Sequence, residues 1–289
     1  MSALTYVFWG YGSEDVLGPL KAHLEAAGER CLQLPEAEPD PAREVALLRG
    51  TRFVLLTSAH FTRDRAILAD LYPSIRIGAS PLQLIRECKP LASVFYPHDL
   101  GTPLVLLEPQ LLGSAFDVVL WPTPWFGYGR TPRGFREVGW VGYRKGALPP
   151  KDGRPRWFFS DFELYRKTVG LQRTWEKLAP ILEAGVEIKF PFWPGHEEYE
   201  AYFRARGARV MPAAQSTFEA IVRSPLVLSN GASGVTFEAL YAGVPVLNLL
   251  EEHLGPGAQR EFLGPLEGCR TVSYAEAPSA LTKPPPAPA

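Results

Sequence analysis

Short apolar runs recur along the first half of the chain and alternate with segments whose apolar residues share one helical face. The runs lie at residues 4–9, 52–57, 91–96, 116–121 and 138–141. After the first run, residues 14–27 place Val16, Leu17, Leu20 and Leu24 at helical spacing, so we predict a strand at each run and a helix at 14–27. This alternation is typical of a parallel sheet with helices on both faces.

The second half repeats the alternation. We predict strands at 157–160, 186–190, 209–211, 226–228 and 246–249, and helices at 162–184, 197–206, 216–223 and 233–242. Residues 145–156, KGALPPKDGRPR, interrupt the pattern with prolines, glycines and charges, which favours a linker. The sequence therefore predicts an α/β protein with two Rossmann-like, doubly wound domains, at residues 1–147 and 148–275. Residues 276–289 are predicted to be a Pro-rich tail, and its last seven residues, KPPPAPA, are expected to be frayed and polyproline-like.

Composition narrows the class of protein. The chain is 46% hydrophobic and 21% charged, as in ordinary globular domains. Its 31 acidic and 30 basic residues give a net charge of −1, which argues against a nucleic-acid partner.

The cysteines and the apolar segments indicate the compartment. Cys31, Cys88 and Cys269 are far apart and form no CxxC pair, which argues against a disulfide framework and a zinc site and favours a reducing cytoplasm. No segment has the roughly 18 uncharged apolar residues of a membrane span. We therefore expect a cytoplasmic protein and leave peripheral contact with a membrane surface open.

One stretch combines small residues with a single carboxylate, SNGASGVTFEALYAGVPVLNLL at residues 229–250. It follows a predicted strand and opens a predicted helix, where backbone N–H groups and the helix dipole favour an anion such as a diphosphate. Glu238 lies slightly further along and could accept both hydroxyls of a ribose. The candidate donor-binding residues in this stretch are Ser229, Asn230, Gly231, Ala232, Ser233, Gly234, Thr236 and Glu238. The alternative interpretation is a strand-to-helix turn capped by Ser233, serving stability alone.

The same stretch carries a family resemblance. SGVTFEALYAGVPVL resembles the nucleotide-sugar-binding segment of GT-B glycosyltransferases, in which a small-residue loop opens a helix bearing a Glu and a Gly-x-Pro turn, here Gly243-Val244-Pro245, follows. The resemblance implies two domains facing a cleft, with a nucleotide-sugar donor on the second and an acceptor, unidentified, largely on the first. It also implies metal-independent transfer of a sugar or related group to an acceptor hydroxyl, with no cofactor.

Two further segments are similar, more weakly, to CDP-glycerol glycerophosphotransferase-like members of this superfamily. KFPFWPGHEEY places His196 beyond a predicted strand, where the family histidine contacts phosphate. YPHDLGTPL is similar to the family's HGTPLK segment, whose histidine is catalytic. The resemblance thus implies donor binding by His196 and a base at His98, with Asp99 orienting it or acting in its place.

The first predicted strand leads into FWGYGSEDVLG. Gly10 and Gly12 would permit a ligand to approach the backbone, but the third position of a dinucleotide fingerprint is Asp15, so that fingerprint fails. Since the first loop of GT-B proteins faces the cleft, Gly10, Tyr11 and Gly12 are candidate acceptor-side residues; the alternative is a structural turn.

Two other functions fit the same features. A UDP-sugar 2-epimerase would share the fold and the donor segment, although it would use several carboxylates around the sugar. A non-catalytic nucleotide-sugar-binding protein would keep the donor segment and lack the base.

Overall fold

The chain divides into two compact units, residues 1–144 and 145–289. The computed structural model describes residues 4–10, 13–34, 40–57, 81–97, 109–122, 125–126, 129–130, 134–139, 141, 149–230, 233–250 and 266–288. The division falls at the start of the Pro- and Gly-rich segment in which we predicted a linker.

The first unit is built on a parallel sheet. Its strands are β1 (Thr5–Trp9), β2 (Arg30–Gln33), β3 (Phe53–Thr57), β4 (Ala92–Phe95), β5 (Val118–Trp121), β6 (Trp125–Phe126), β7 (Gly129–Arg130) and β8 (Arg136–Glu137). Its helices are α1 (Ser13–Ala26), α2 (Pro41–Leu48), α3 (Pro81–Cys88) and α4 (Pro109–Ala115). Six strands pair in the order β2-β1-β3-β4-β5-β8, all parallel, while β6 and β7 form a separate antiparallel pair.

Both faces of this sheet are buried. Along β1, Val7 and Trp9 pack into one apolar cluster and Phe8 into another on the opposite face. Helices α2 and α3 contribute to the first cluster and α1 to the second, so the predicted parallel sheet with helices on both faces is confirmed.

The second unit has its own parallel sheet. Its strands are β9 (Arg156–Phe158), β10 (Glu187–Lys189), β11 (Val227–Asn230), β12 (Val246–Leu250) and β13 (Cys269–Ser273). Its helices are α5 (Phe162–Thr168), α6 (Leu171–Glu183), α7 (His196–Arg204), α8 (Thr217–Arg223), α9 (Gly234–Tyr241) and α10 (Ala277–Leu281). The strands pair in the order β10-β9-β11-β12-β13, and Val210 adds a parallel bridge to Ile188 on the outer side of β10.

A buried arginine at the start of the second unit connects β9 to the preceding segment, to β10 and to α8. Arg156, the first residue of β9, is 5% exposed and donates hydrogen bonds to the carboxylates of Asp152 and Glu187. Its guanidinium also donates to the carbonyl of Ala220 in α8, at 2.8 Å. A buried charge is tolerated when it is paired and hydrogen-bonded in this way.

The structure differs from the predicted elements in several places. The strand expected at 209–211 is reduced to the bridge between Val210 and Ile188, and β2 and β13 were not predicted. The long helix expected at 162–184 is broken at Gly170, whose φ of +82° ends α5 and precedes α6. The last strand of the first unit is Arg136–Glu137 and not 138–141. Residues 277–281, expected in the Pro-rich tail, form α10, and Ala277 is buried in the core.

The prolines after α10 also have a contact. A Cβ built on Gly268 would lie 2.7 Å from Cδ of Pro288, so this end of the chain packs closely on the turn before β13. The tail is therefore placed against the second unit.

Candidate functional site

The order of strands in the second sheet creates a topological switch point. From β9 the chain moves outward to β10 and Val210, and it then returns to β11 on the other side of β9. In open α/β sheets, ligands bind beyond the carboxyl ends of the strands where the order reverses in this way. The end of β11, with the small-residue stretch that follows it, lies at this position.

A buried hydroxyl pair joins β11 to the helix after it. Oγ of Ser229 and Oγ1 of Thr236 are 2.7 Å apart, and both side chains are fully buried. The contact links the strand to the first turn of α9. Both hydroxyls were predicted to bind a donor; in the structure they hold the helix start against the sheet.

Asn230, the last residue of β11, is also occupied by protein groups. Its Oδ1 accepts a hydrogen bond from the Trp157 indole at 3.0 Å, and its Nδ2 donates to the Tyr274 hydroxyl at 2.6 Å. Asn230 is 3% exposed. Its side chain therefore links the end of β11 to Trp157 of β9 and to Tyr274, the residue after β13, next to the start of the predicted donor loop.

Ser233 stands at the N-cap position of α9 and makes no capping hydrogen bond with its side chain. Its hydroxyl oxygen is buried and has no hydrogen-bond partner within the described parts of the chain. The interpretation of this turn as a Ser-capped helix start therefore lacks its defining bond. A buried hydroxyl without a partner costs folding free energy, a cost that either a ligand or an ordered water at the helix start would offset.

The other described residues of the stretch leave space at the helix start. A Cβ built on Gly234 meets no atom within 4 Å, so no described protein group requires a glycine at that position. Glu238 lies on the second turn of α9 and is half-buried. Gly231 and Ala232 lie outside the described residues.

The Gly-x-Pro turn predicted after this helix is present. Gly243 has φ of +70°, and the N–H groups of Gly243 and Val244 bond to the carbonyls of Leu240 and Ala239. These two bonds form the Schellman pattern that ends a helix at a left-handed glycine. The turn delivers the chain directly into β12.

His196 is the first residue of α7, beyond the end of β10. It is 7% exposed, and its Nδ1 lies 2.8 Å from the carbonyl oxygen of Trp193. Because a carbonyl only accepts, Nδ1 carries a hydrogen and donates it in this contact. The Glu197 carboxylate is 3.3 Å from the same Nδ1.

The segment before α8 is anchored beside α7. Nζ of Lys189 donates to the carbonyl of Ala213 at 2.7 Å, and the N–H of Ala213 donates to Glu200 at 3.1 Å. Glu200 lies one turn after His196 on the same helix. Both backbone polar groups of Ala213, its N–H and its carbonyl, are thus hydrogen-bonded to side chains, which fixes this backbone next to α7.

An aromatic side chain missed by the sequence analysis lies beside His196. Phe192 is 70% exposed, and its ring centroid is 4.8 Å from that of His196. In the sequence, Phe192 and Trp193 stand between Pro191 and Pro194, and this pattern was the available signal for an aromatic residue on a turn.

In the first sheet, the order β2-β1-β3 places a second switch point between β1 and β3. Gly10 directly follows β1 with φ of +108°, a conformation that favours glycine. The other candidate acceptor-side residues, Tyr11 and Gly12, lie outside the described residues. So do both candidate bases, His98 and Asp99.

The described residues lack two kinds of feature. They contain no group of three or more His, Cys, Asp or Glu side chains placed to hold a metal ion. None of their helices is long and apolar enough to span a bilayer.

The fold has known counterparts. No family model matches the sequence, and no curated protein is significantly similar to it. The spinosyn forosaminyltransferase SpnP is similar in structure, with a TM-score of 0.53 and 13% identity, over 97% of this chain and 89% of that one. The glycosyltransferase SnogD from Streptomyces nogalater has a TM-score of 0.51 and 16% identity, over 98% and 95%.

These neighbours are GT-B glycosyltransferases, so the fold predicted from the sequence is confirmed. The chain has two parallel α/β sheets, of six and five strands, as this fold requires. Identities of 13% and 16% establish the fold and not the reaction.

Proposed function

We propose that the protein transfers a sugar or related group from a nucleotide-activated donor to an acceptor hydroxyl, without a metal ion. The observation that carries the proposal is the Ser233 hydroxyl at the start of α9, which is buried and has no hydrogen-bond partner among the residues that the structure describes. A diphosphate oxygen at this position would accept a hydrogen bond from Ser233 and lie at the positive end of the helix dipole.

The remaining residues take distinct roles in this proposal. Glu238 accepts hydrogen bonds from the ribose hydroxyls, as acidic residues do in other nucleotide sites. Ser229, Thr236 and Asn230 position the strand end and the helix, because their polar atoms already bond to protein groups. His98 or Asp99 is the base that removes the acceptor proton.

These groups account for every bond and proton that changes in the proposed transfer. The acceptor oxygen loses its proton to the base and forms a bond to the donated carbon. The bond between that carbon and the diphosphate oxygen breaks, and the nucleoside diphosphate leaves with the electron pair. Hydrogen bonds from the start of α9 stabilise the negative charge that develops on the leaving group.

Binding tests this proposal directly. The protein is screened with nucleotide sugars and nucleoside diphosphates by thermal shift, with EDTA present. A ligand at 100 times its Kd stabilises the folded state by about 2.7 kcal/mol, which raises the Tm measurably. Ser233→Ala should reduce the shift, whereas Ser279→Ala, an exposed serine of α10, should leave it unchanged.

The proposal fails if no nucleotide or nucleotide sugar raises the Tm. It also fails if Ser233→Ala binds every active ligand as the wild type does. For a ligand that binds, product analysis without an acceptor separates an epimerase, which converts the donor alone, from a transferase.

A further inference from the structure

The hydroxyl of Tyr274 accepts a hydrogen bond from the amide group of Asn230. The Trp157 indole N–H only donates, so the amide oxygen of Asn230 faces Trp157 and the NH2 group faces Tyr274, with Nδ2 2.6 Å from the hydroxyl oxygen. Asn230 is 3% exposed, so its amide depends on protein groups and not on bulk water for its hydrogen bonds. Removing the Tyr274 hydroxyl would take this acceptor from a buried donor.

The ring of Tyr274 is held by side chains from three other elements. Its centroid lies 5.6 Å from that of Trp157 in β9 and 6.3 Å from that of Tyr165 in α5, with which it is stacked. Nζ of Lys177 in α6 lies 5.8 Å from the same centroid, within the range of a cation–π interaction. These contacts determine where the hydroxyl points. Because they are contacts of the ring, a phenylalanine at this position would keep them.

The backbone around Tyr274 is fixed by a capping box ahead of α10. The N–H of Ser273 donates to Oε2 of Glu276 at 2.8 Å, and the N–H of Glu276 donates back to Oγ of Ser273 at 3.3 Å. This reciprocal pair of bonds is the pattern expected for a Ser followed three residues later by a Glu at a helix start. The turn that carries Tyr274 is therefore ordered in its backbone as well as in its ring.

The position of Asn230 gives this contact its importance. Asn230 is the last residue of β11 that pairs with β12, and only two residues separate it from Ser233 at the start of α9. The helix end of this connection is fixed by the hydrogen bond between Ser229 and Thr236. The strand end is fixed by the bond between Asn230 and Tyr274. The location of Ser233 and of the first N–H groups of α9 therefore depends on both anchors.

We propose that Tyr274 is a positioning residue for the donor: by holding the Asn230 side chain, its hydroxyl sets the path of the chain from β11 to Ser233 and so pre-forms the diphosphate site. This inference rests on the proposed function. A site held in its binding arrangement before the ligand arrives pays less ordering entropy on binding. Tyr274 comes 44 residues after Asn230, so the small-residue stretch does not by itself contain everything that donor binding requires.

The test is calorimetric titration of Tyr274→Phe and the wild type with UDP, TDP and CDP. The variant keeps the ring and loses only the hydroxyl. The Kd of the best nucleoside diphosphate should rise about fivefold or more, the lower end of the coupling typical between a ligand and a group outside its site. The Tm should also fall, because the buried amide of Asn230 loses an acceptor.

Tyr96→Phe is the matched control for this loss of stability. In the first unit, the Tyr96 hydroxyl accepts from the N–H of Val141 at 3.1 Å and donates to the carbonyl of Gly139 at 3.2 Å. Its side chain is 2% exposed, so removal of this hydroxyl should lower the Tm as well. The control should nevertheless bind nucleoside diphosphates as the wild type does, which separates positioning from stability.

A second pair of variants tests whether Tyr274 acts through Asn230. The amide is already absent in Asn230→Leu, so adding Tyr274→Phe to it should leave the Kd unchanged. If the added substitution still weakens binding fivefold, the hydroxyl acts by another route and the positioning role is wrong. If Asn230→Leu does not fold, the comparison of Tyr274→Phe with Tyr96→Phe decides.

The two proposals can fail separately. If the wild type binds a nucleoside diphosphate and Tyr274→Phe binds it equally well, the positioning role is wrong and the proposed function stands. Equal weakening by Tyr274→Phe and Tyr96→Phe would also overturn the positioning role, because it would trace the effect to stability alone. If the wild type binds no nucleoside diphosphate, the proposed function fails and the positioning role fails with it.

Discussion

Ser229 and Thr236 share a hydrogen bond of 2.7 Å between two fully buried hydroxyls, one at the end of β11 and one in the first turn of α9. The bond sets where this helix starts relative to the sheet. It therefore lies behind the proposed diphosphate site without being exposed to a ligand.

Thr236→Val should destabilise the protein. Valine has the shape of threonine but leaves the buried Ser229 hydroxyl without this partner, at a cost of about 1–3 kcal/mol. Urea unfolding measures the loss. The double variant Ser229→Ala/Thr236→Val should recover part of it, and strictly additive single effects would contradict the role given to this bond.

Two serines at helix N-caps should behave differently. The Ser216 hydroxyl accepts a hydrogen bond from the N–H of Glu219 at 3.3 Å, whereas that of Ser233 has no partner among the described residues. Ser216→Ala should cost about 0.5–2 kcal/mol, and Ser233→Ala should cost nothing or stabilise the free protein. Equal losses of unfolding free energy in ligand-free protein would show that Ser233 caps α9.

Gly234→Val should separate stability from binding. Because a Cβ at Gly234 meets no atom of the described residues within 4 Å, the variant should keep a Tm close to that of the wild type. A diphosphate at the helix start would meet the added side chain, so the Kd should rise about tenfold or more, equivalent to roughly 1.4 kcal/mol. Calorimetry measures the Kd.

Gly18→Val is the matched control, since the site of its Cβ in α1 is equally open. It should bind as the wild type does. Unchanged affinity in Gly234→Val would exclude a ligand group close to this backbone.

The cysteines should show a pH-dependent order of reactivity. Burial raises the pKa of Cys269 to about 12, and the thiolate is the reactive form. At pH 8 about one thiol in ten thousand is then ionised, and the fraction rises about tenfold for each pH unit below that pKa. Modification by a thiol reagent, followed by mass spectrometry, should find Cys269 slowest.

Burial is also the main cause that raises the pKa of Cys31 and of Cys88, so both should react more slowly than in unfolded protein. Guanidinium should make all three sites react at similar rates. Labelling of native Cys269 as fast as Cys31 would contradict the burial of its thiol.

Many strands and helices of the second unit could be predicted from the sequence because they are short and strongly apolar and because glycines mark the turns between them. Strand β12 and the Gly243 turn were found in this way. The break at Gly170 was missed because the apolar periodicity continues across it. Helix α10 was missed because Pro278 and the nearby prolines suggested a tail, yet proline is tolerated in the first turn of a helix.

The site was predictable only in outline. The small residues and Glu238 marked the place, but the sequence does not reveal which hydroxyl is paired. Ser229, Ser233 and Thr236 are chemically similar. Only packing shows that Ser229 and Thr236 bond to each other, while the Ser233 hydroxyl has no partner in the described part of the chain. The exposure of Phe192 is likewise a tertiary property, because phenylalanine is usually buried.

Arg156 has a practical consequence for dissecting the molecule. Its guanidinium reaches back to Asp152, four residues earlier, and across to Glu187 and Ala220. A fragment prepared to study the second sheet alone should therefore begin ahead of Asp152. Cutting after that residue would discard one counter-charge of a cation held almost completely out of water, and the shortened polypeptide should be less soluble and more easily digested.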